Sequence, residues 1–187
     1  MLMASLPNSK TVTYEEWLHL PEVEDAIEEV VDGVIHIMPP AKWKHSLVVQ
    51  RLSDALRDQV DRHKVMVVTA QFGLIIRKKP LTSRVPDLAV FKIATIVERD
   101  GYIHSAPQLV VEARSAGNTR REREEKVANY ASLGIPEIWA INPDPRTIDV
   151  WYVDDGQLRV EVTLAEGLLK PRLFPGVQID IAGIWPD

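Results

Sequence analysis

Two short apolar runs each carry one carboxylate that their hydrophobic pattern does not need. They are Val85-Pro86-Asp87-Leu88-Ala89-Val90-Phe91 and Gln108-Leu109-Val110-Val111-Glu112-Ala113-Arg114-Ser115. Runs of this length, rich in Val and Leu, read as strands whose side chains alternate between the faces of a sheet. Alternation sets Leu109, Val111 and Ala113 on one face and Val110, Glu112 and Arg114 on the other. A charge among such neighbours is costly to desolvate unless something positive meets it. The fold must therefore bring a partner to Glu112: a metal ion, Arg114, or Lys126 from the helical segment that follows. Pro86 keeps the chain extended on entry to Asp87, because a residue preceding proline avoids the helical region. If the two strands lie side by side, both carboxylates can converge on one divalent cation at oxygen-ligand distances. An ammonium nearby would complete a site for an activated water. On residues alone the competing reading is a structural ion-pair network with Arg84, Arg114 or Lys126.

The rest of the chain predicts a single α/β domain over residues 1–187, with a mixed sheet and no internal boundary. Thr13-Tyr14-Glu15-Glu16 reads as a capping box opening a short helix to about Leu20, and Asn118-Thr119-Arg120-Arg121-Glu122 as a second box. Asp32-Gly33 suits the positive φ angles of a tight hairpin turn between residues 27–31 and 34–38. Residues 44–63 carry Leu47, Val48, Leu52, Ala55, Leu56 and Val60 at helical spacing. Strands are expected over 65–69, 72–77, 87–92 and 109–114, and again over 137–142, 147–153 and 158–164, with a last short one near 177–181. Residues 93–107 are expected to form a loop or short helix, and Gly134 stands where a helix end wants a left-handed residue.

Composition narrows function less than it narrows fold. With 187 residues, 45% of them apolar and 26% charged, the chain suits one globular domain. No stretch approaches the roughly 18 apolar residues of a membrane span, and residues 1–10 lack a secretory pattern. The absence of cysteine excludes disulfides, thiolate metal sites and a cysteine nucleophile. A cytoplasmic protein without membrane association is the expectation. A net charge of −5 gives no global attraction to nucleic acid. Local clusters differ: Arg77, Lys78, Lys79 and Arg84 precede Asp87, and Arg114, Arg120, Arg121 and Arg123 follow Glu112. Such patches suit a phosphate-rich substrate, or else are solvated faces. His45, in the first turn of the long helix, is expected to be exposed, with an auxiliary role at the site as the alternative.

Taken in order, Val-Pro-Asp87-Leu-Ala-Val, Gln-Leu-Val-Val-Glu112-Ala-Arg-Ser115 and Lys126-Val-Ala-Asn-Tyr130-Ala-Ser-Leu-Gly134-Ile-Pro-Glu137-Ile-Trp139 resemble the Uma-type restriction endonucleases. These belong to the PD-(D/E)XK nuclease superfamily. The hairpin from Glu29 to Met38, followed by His45, is similar to the family's amino-terminal signature. The resemblance implies a restriction-endonuclease-like core: a mixed β-sheet flanked by helices, with an additional β-hairpin region and the site at the sheet's edge. It also implies phosphodiester hydrolysis dependent on Mg2+, or Mn2+ in its place. Asp87 and Glu112 match the motif carboxylates, the Ala113 carbonyl would be a third oxygen ligand, and Lys126 matches a helix-borne lysine that positions the attacking water. Glu29 matches a glutamate that would serve a second ion or a water ligand. The implied partner is nucleic acid, DNA above all, and the implied assembly a homodimer or higher homo-oligomer. One departure stands out: Arg114 occupies the place where the superfamily's lysine usually sits. Arginine cannot accept a proton, although it can grip a phosphate. A catalytically inert nucleic-acid-binding or assembly protein that keeps the nuclease fold is therefore the alternative.

Overall fold

The computed structural model describes residues 11–21, 23–69, 72–114 and 119–186. Glu22 of the acidic stretch, Ser115 of the second motif, Asn118 and the amino-terminal ten residues lie outside them. In chain order the elements are α1 (Tyr14–Trp17), β1 (Ile27–Val31), β2 (Val34–Met38), α2 (Trp43–Arg57), β3 (Val65–Val68), β4 (Leu74–Lys78), β5 (Leu81–Arg84), β6 (Leu88–Lys92), β7 (Glu98–Arg99), β8 (Tyr102–Ile103), β9 (Leu109–Ala113), α3 (Arg120–Ser132), β10 (Glu137–Asn142), β11 (Thr147–Asp154), β12 (Gln157–Leu164), β13 (Leu168–Leu169) and β14 (Ile179–Asp180).

The described strands form two six-stranded sheets and a two-stranded one, β13-β14. The larger in area has the order β12-β11-β10-β9-β6-β3. Its β9 and β10 run parallel, as a crossover through α3 requires. Both faces are covered, which explains why β6, β9 and β10 read as near-continuous apolar runs. On one face α2 sets Val48, Val49, Leu52 and Leu56 against Leu88, Val90, Leu109 and Val111. On the other, Val127 and Tyr130 of α3 pack with Ala89, Phe91, Val110 and Ile138. Each such fully buried Leu or Val contributes about 1.5–3 kcal/mol. The carboxyl-terminal residues Val177, Ile179, Ile181 and Ile184 close the α2 side of this core.

The second sheet has the order β2-β1-β5-β4-β8-β7. Its β1–β2 hairpin turns at Asp32 and Gly33, with φ of 50° and 82°. Glycine is needed there twice over. A Cβ on Gly33 would lie 2.9 Å from Thr11 Cβ, and the left-handed backbone already strains an L residue.

Expectation and structure differ in several places. A single sheet was the simplest reading, and the hairpin region instead belongs to a second full sheet. The long helix ends at Arg57 rather than near residue 63, because its buried stripe stops at Leu56 and Asp61 turns back to accept the His63 N–H at 3.0 Å. Residues 93–107 hold a 3₁₀ turn at Ile93–Thr95 and the small β7–β8 hairpin. Both capping boxes form as expected, with Thr13 paired to Glu16 and Thr119 to Glu122. Among the described residues no helix is long and apolar enough to cross a membrane.

Candidate active site

β6 and β9 are antiparallel neighbours, with Leu88 opposite Val111 and Ala89 opposite Val110. One further step in that register sets Asp87 opposite Glu112, so the two carboxylates meet at one end of the larger sheet. Both keep a little exposure, 21% for the Asp87 side chain and 14% for that of Glu112. Ala113 donates its backbone N–H to Asp87 Oδ2 at 2.7 Å. The other oxygen, Oδ1, lies 3.0 Å from His45 Nε2, delivered by the first turn of α2. His45 is thus folded inward against Asp87, not exposed as its position on the helix suggested.

Glu112 faces α3. Its Oε2 lies 3.2 Å from Lys126 Nζ, and its Oε1 accepts the hydroxyl of Tyr130. Lys126 and Tyr130 are four residues apart and share a helix face, the inward one, so the ammonium reaches the sheet. Behind Lys126 stands Glu29, 1% exposed. Its Oε1 is 2.9 Å from Lys126 Nζ and accepts the Val85 N–H at 3.1 Å, while its Oε2 accepts Arg84 Nη1 at 2.8 Å. Arg84 is itself buried, with Nε on Asn129 Oδ1 at 2.8 Å and Nη2 on Glu125 Oε1 at 2.9 Å. A continuous line of charge therefore runs from Arg84 through Glu29 and Lys126 to Glu112.

The first basic cluster does not form a patch. Arg84 is spent on Glu29, Arg77 pairs with Asp32, and Lys78 sits 3.8 Å from the centre of the Tyr14 ring. Arg114 is exposed, just past the end of β9. Sequence reasoning names Arg84 in a basic cluster and as an ion-pair partner for Asp87 or Glu112, and the structure pairs it with Glu29 instead. It favours an exposed His45 over an auxiliary role at the site, and the structure sets that residue against Asp87. No local pattern signals either outcome, because both depend on partners distant in the chain.

The electrostatics follow from this packing. Burial is the largest influence on Glu112 and raises its pKa; Lys126 opposes that, the charges of Asp87 and Glu29 reinforce it, and the group is pushed up to about 7. For Lys126, burial pulls the pKa down, but Glu112 and Glu29 together outweigh it and hold the ammonium above its ordinary value. Burial would raise Glu29, yet Lys126 and Arg84 hold it below the usual glutamate range. His45 is lowered by burial and raised more strongly by its hydrogen bond to Asp87 and by the charges of Asp87 and Glu112.

Among the described residues no three His, Asp or Glu side chains are gathered as a metal cage. The donor chemistry of the pair nevertheless fits a hard cation. Asp87 and Glu112 stand at the same end of neighbouring strands, and the charge of Asp87, which adds to burial in lifting Glu112, is what a divalent ion at their oxygens would relieve. Without one, His45, Lys126, Tyr130 and the Ala113 N–H take up the four carboxylate oxygens.

The described residues thus form a mixed α/β fold of two six-stranded sheets with the helices α1, α2 and α3. The Uma2 family model, described as "Putative restriction endonuclease", matches residues 14–182. The chain belongs to that family. Among solved structures, a protein of Anabaena variabilis described as a "putative nuclease belonging to DUF820" is similar to it at 22% identity and a TM-score of 0.75. The likeness covers 92% of this chain and 97% of that one, and it is a likeness of fold. Comparison with curated proteins gives no match.

Proposed function

We propose that this chain is a metal-dependent endonuclease that hydrolyses phosphodiester bonds of DNA. The observation that carries the reading is that Asp87, just before β6, takes the N–H of Ala113 next to Glu112, with Lys126 Nζ 3.2 Å from Glu112. Asp87, Glu112 and the Ala113 carbonyl would hold the ion, Mg2+ or Mn2+. A bound ion of this kind acidifies its water and offsets charge developing on the phosphoryl oxygens. Lys126 is protonated at neutral pH, since its neighbours hold its pKa up. Its task is therefore to donate hydrogen bonds to the attacking water and to the charge that builds on the phosphate, not to remove a proton. Glu29, with both oxygens on Arg84, Lys126 and Val85 N–H, is better placed to hold that ammonium than to ligate a second ion. His45 orients Asp87 through their 3.0 Å contact. Family membership and the fold support the nuclease reading, and the absence of cysteine is consistent with work in the cytoplasm. Cutting both strands calls for two sites, so a homodimer is part of the proposal.

The second reading is an inert nucleic-acid-binding or assembly protein. It is favoured by one observation: all four carboxylate oxygens already have protein donors. The deciding experiment incubates plasmid and labelled duplex and single-stranded oligonucleotides with the protein, with Mg2+, with Mn2+ and with chelator. Metal-dependent cleavage that Asp87→Asn removes supports the enzyme; binding without cleavage under every condition supports the inert protein.

A further inference from the structure

Arg123 lies one helical turn before Lys126 on the same inward side of α3. Its Nη1 donates to Asn142 Oδ1 at 2.9 Å. Its Nε is buried and meets no acceptor. Among the described residues no carboxylate pairs with it. That is unusual for a half-buried guanidinium: five fixed donors and a full charge are met by one neutral amide oxygen. Buried donors nearly always find partners, so an orphan one calls for a missing acceptor.

The guanidinium is also held in place. Thr163 Oγ1 donates to Asp149 Oδ1 at 2.7 Å, and Asn142 Nδ2 donates to Asp149 Oδ2 at 3.0 Å. A carboxylate only accepts, so Asn142 must turn its NH2 toward Asp149 and its oxygen toward Arg123. Three neighbouring strands thus brace one cation. Its location follows from register. Ala140 is level with Glu112 and Ile141 with Ala113, and Asn142 is the next residue on β10. Asn142 therefore lies two residues beyond Glu112, about 7 Å along the sheet and one strand across, on the same α3 face. That offset is on the scale of the step between successive phosphates of a nucleic-acid strand.

We infer that Arg123 binds a backbone phosphate of the substrate, the one next along the strand from the phosphate at Glu112. This rests on the nuclease reading above and adds to it the residue that sets the strand's register in the site. Nη2, which is neither enclosed nor bonded, takes a non-bridging oxygen of the phosphate, while Nη1 stays on Asn142 and the enclosed Nε leaves the charge under-compensated. Arginine suits this better than lysine because its donors form a rigid planar fork.

The test compares wild type, Asp87→Asn, Arg123→Gln and Arg123→Lys as full chains. Binding of a labelled DNA duplex is followed by fluorescence anisotropy over a range of salt with chelator present, and single-turnover cleavage is followed with Mg2+. Arg123→Gln is expected to lower the cleavage rate about a hundredfold. It is also expected to reduce the slope of log affinity against log salt by about one. Arg123→Lys keeps the slope and loses about tenfold in rate. If Arg123→Gln fails to fold, Arg123→Lys decides alone, and wild-type cleavage by it overturns the inference. So does a lowered melting temperature in Arg123→Gln with rate and slope unchanged, which would make the residue a tie between helix and sheet. Failure of the wider reading looks different: wild type then neither cuts nor binds DNA, and the inference falls with it. Cleavage lost in Asp87→Asn but intact in both Arg123 variants spares the nuclease and removes Arg123.

Discussion

Arg84 reaches from β5 to helix α3 and Arg123 reaches from α3 to β10, and the two meet opposite fates. Three nitrogens of Arg84 are accepted, by Glu29, Glu125 and Asn129, and the residue is 5% exposed. Arg123 has one neutral acceptor and one buried, unanswered N–H. The first is charge used up in building the molecule; the second is charge left over. The difference teaches where to look for a substrate. A saturated pair fixes geometry, whereas an unsaturated one, close to carboxylates that are themselves crowded, has capacity for something brought from outside.

The largest expected effect is on chemistry. Asp87→Asn and Glu112→Gln should each lower metal-dependent DNA cleavage by about a thousandfold or more while leaving the circular dichroism spectrum unchanged. Cleavage at the wild-type rate in either would remove the carboxylate pair from the mechanism.

Next comes the comparison of the two arginines in stability. Arg84→Met leaves Glu29 buried with too little positive charge, and breaking a buried pair costs about 3–5 kcal/mol. That corresponds to a fall of roughly 10 °C in melting temperature for a domain of this size. Arg123→Gln should cost about 1 kcal/mol. Equal losses in a thermal melt would erase the distinction between scaffold charge and surplus charge.

Lys126→Met should reduce the turnover rate about a hundredfold with little change in DNA affinity, since the ammonium acts on developing charge. Steady-state kinetics that show a change in KM alone would reassign it to binding.

The smallest effect concerns pH. Because Glu29 is held below its ordinary value of 4.5, its contribution to stability is complete above that value and is lost as the pH falls through the lower folded value. The melting-temperature gap between wild type and Glu29→Gln, worth about 2 kcal/mol at neutral pH, should therefore narrow in acid. A gap that widens as the pH drops would contradict the assigned shift.

Much of this arrangement could be read from local pattern. Thr13 and Thr119 announced their helices because a capping box is a short-range hydrogen-bond device. Asp32-Gly33 announced its hairpin because few residues tolerate two successive positive φ angles. Strand alternation set Glu112 on the face away from Leu109, Val111 and Ala113, with Lys126 among its candidate partners. What escaped was set by distant partners. Strand β5 went unseen because Leu81-Thr82-Ser83-Arg84 lacks an apolar pattern, yet all four residues are buried, and Arg84 only because Glu29 arrives from another strand. Glu29 sat in an acidic run that gave no hint of which member would be enclosed. His45 depended on where α2 docks, which no first-turn residue reveals. The division into two sheets turns on which strands choose one another, and alternation alone does not say.

Helix α2 carries His45 in its first turn and is grasped further along by the chain's far end. Arg51 Nη1 donates to the Trp185 carbonyl, and Gln59 exchanges hydrogen bonds with the backbone of Gln178 at 3.0 and 2.9 Å. A rod of fifteen residues, about 22 Å long, thus couples two remote places mechanically. The contact at Trp185 is thus one of the restraints on the helix that holds the His45 imidazole beside Asp87, although the two lie far apart in the chain.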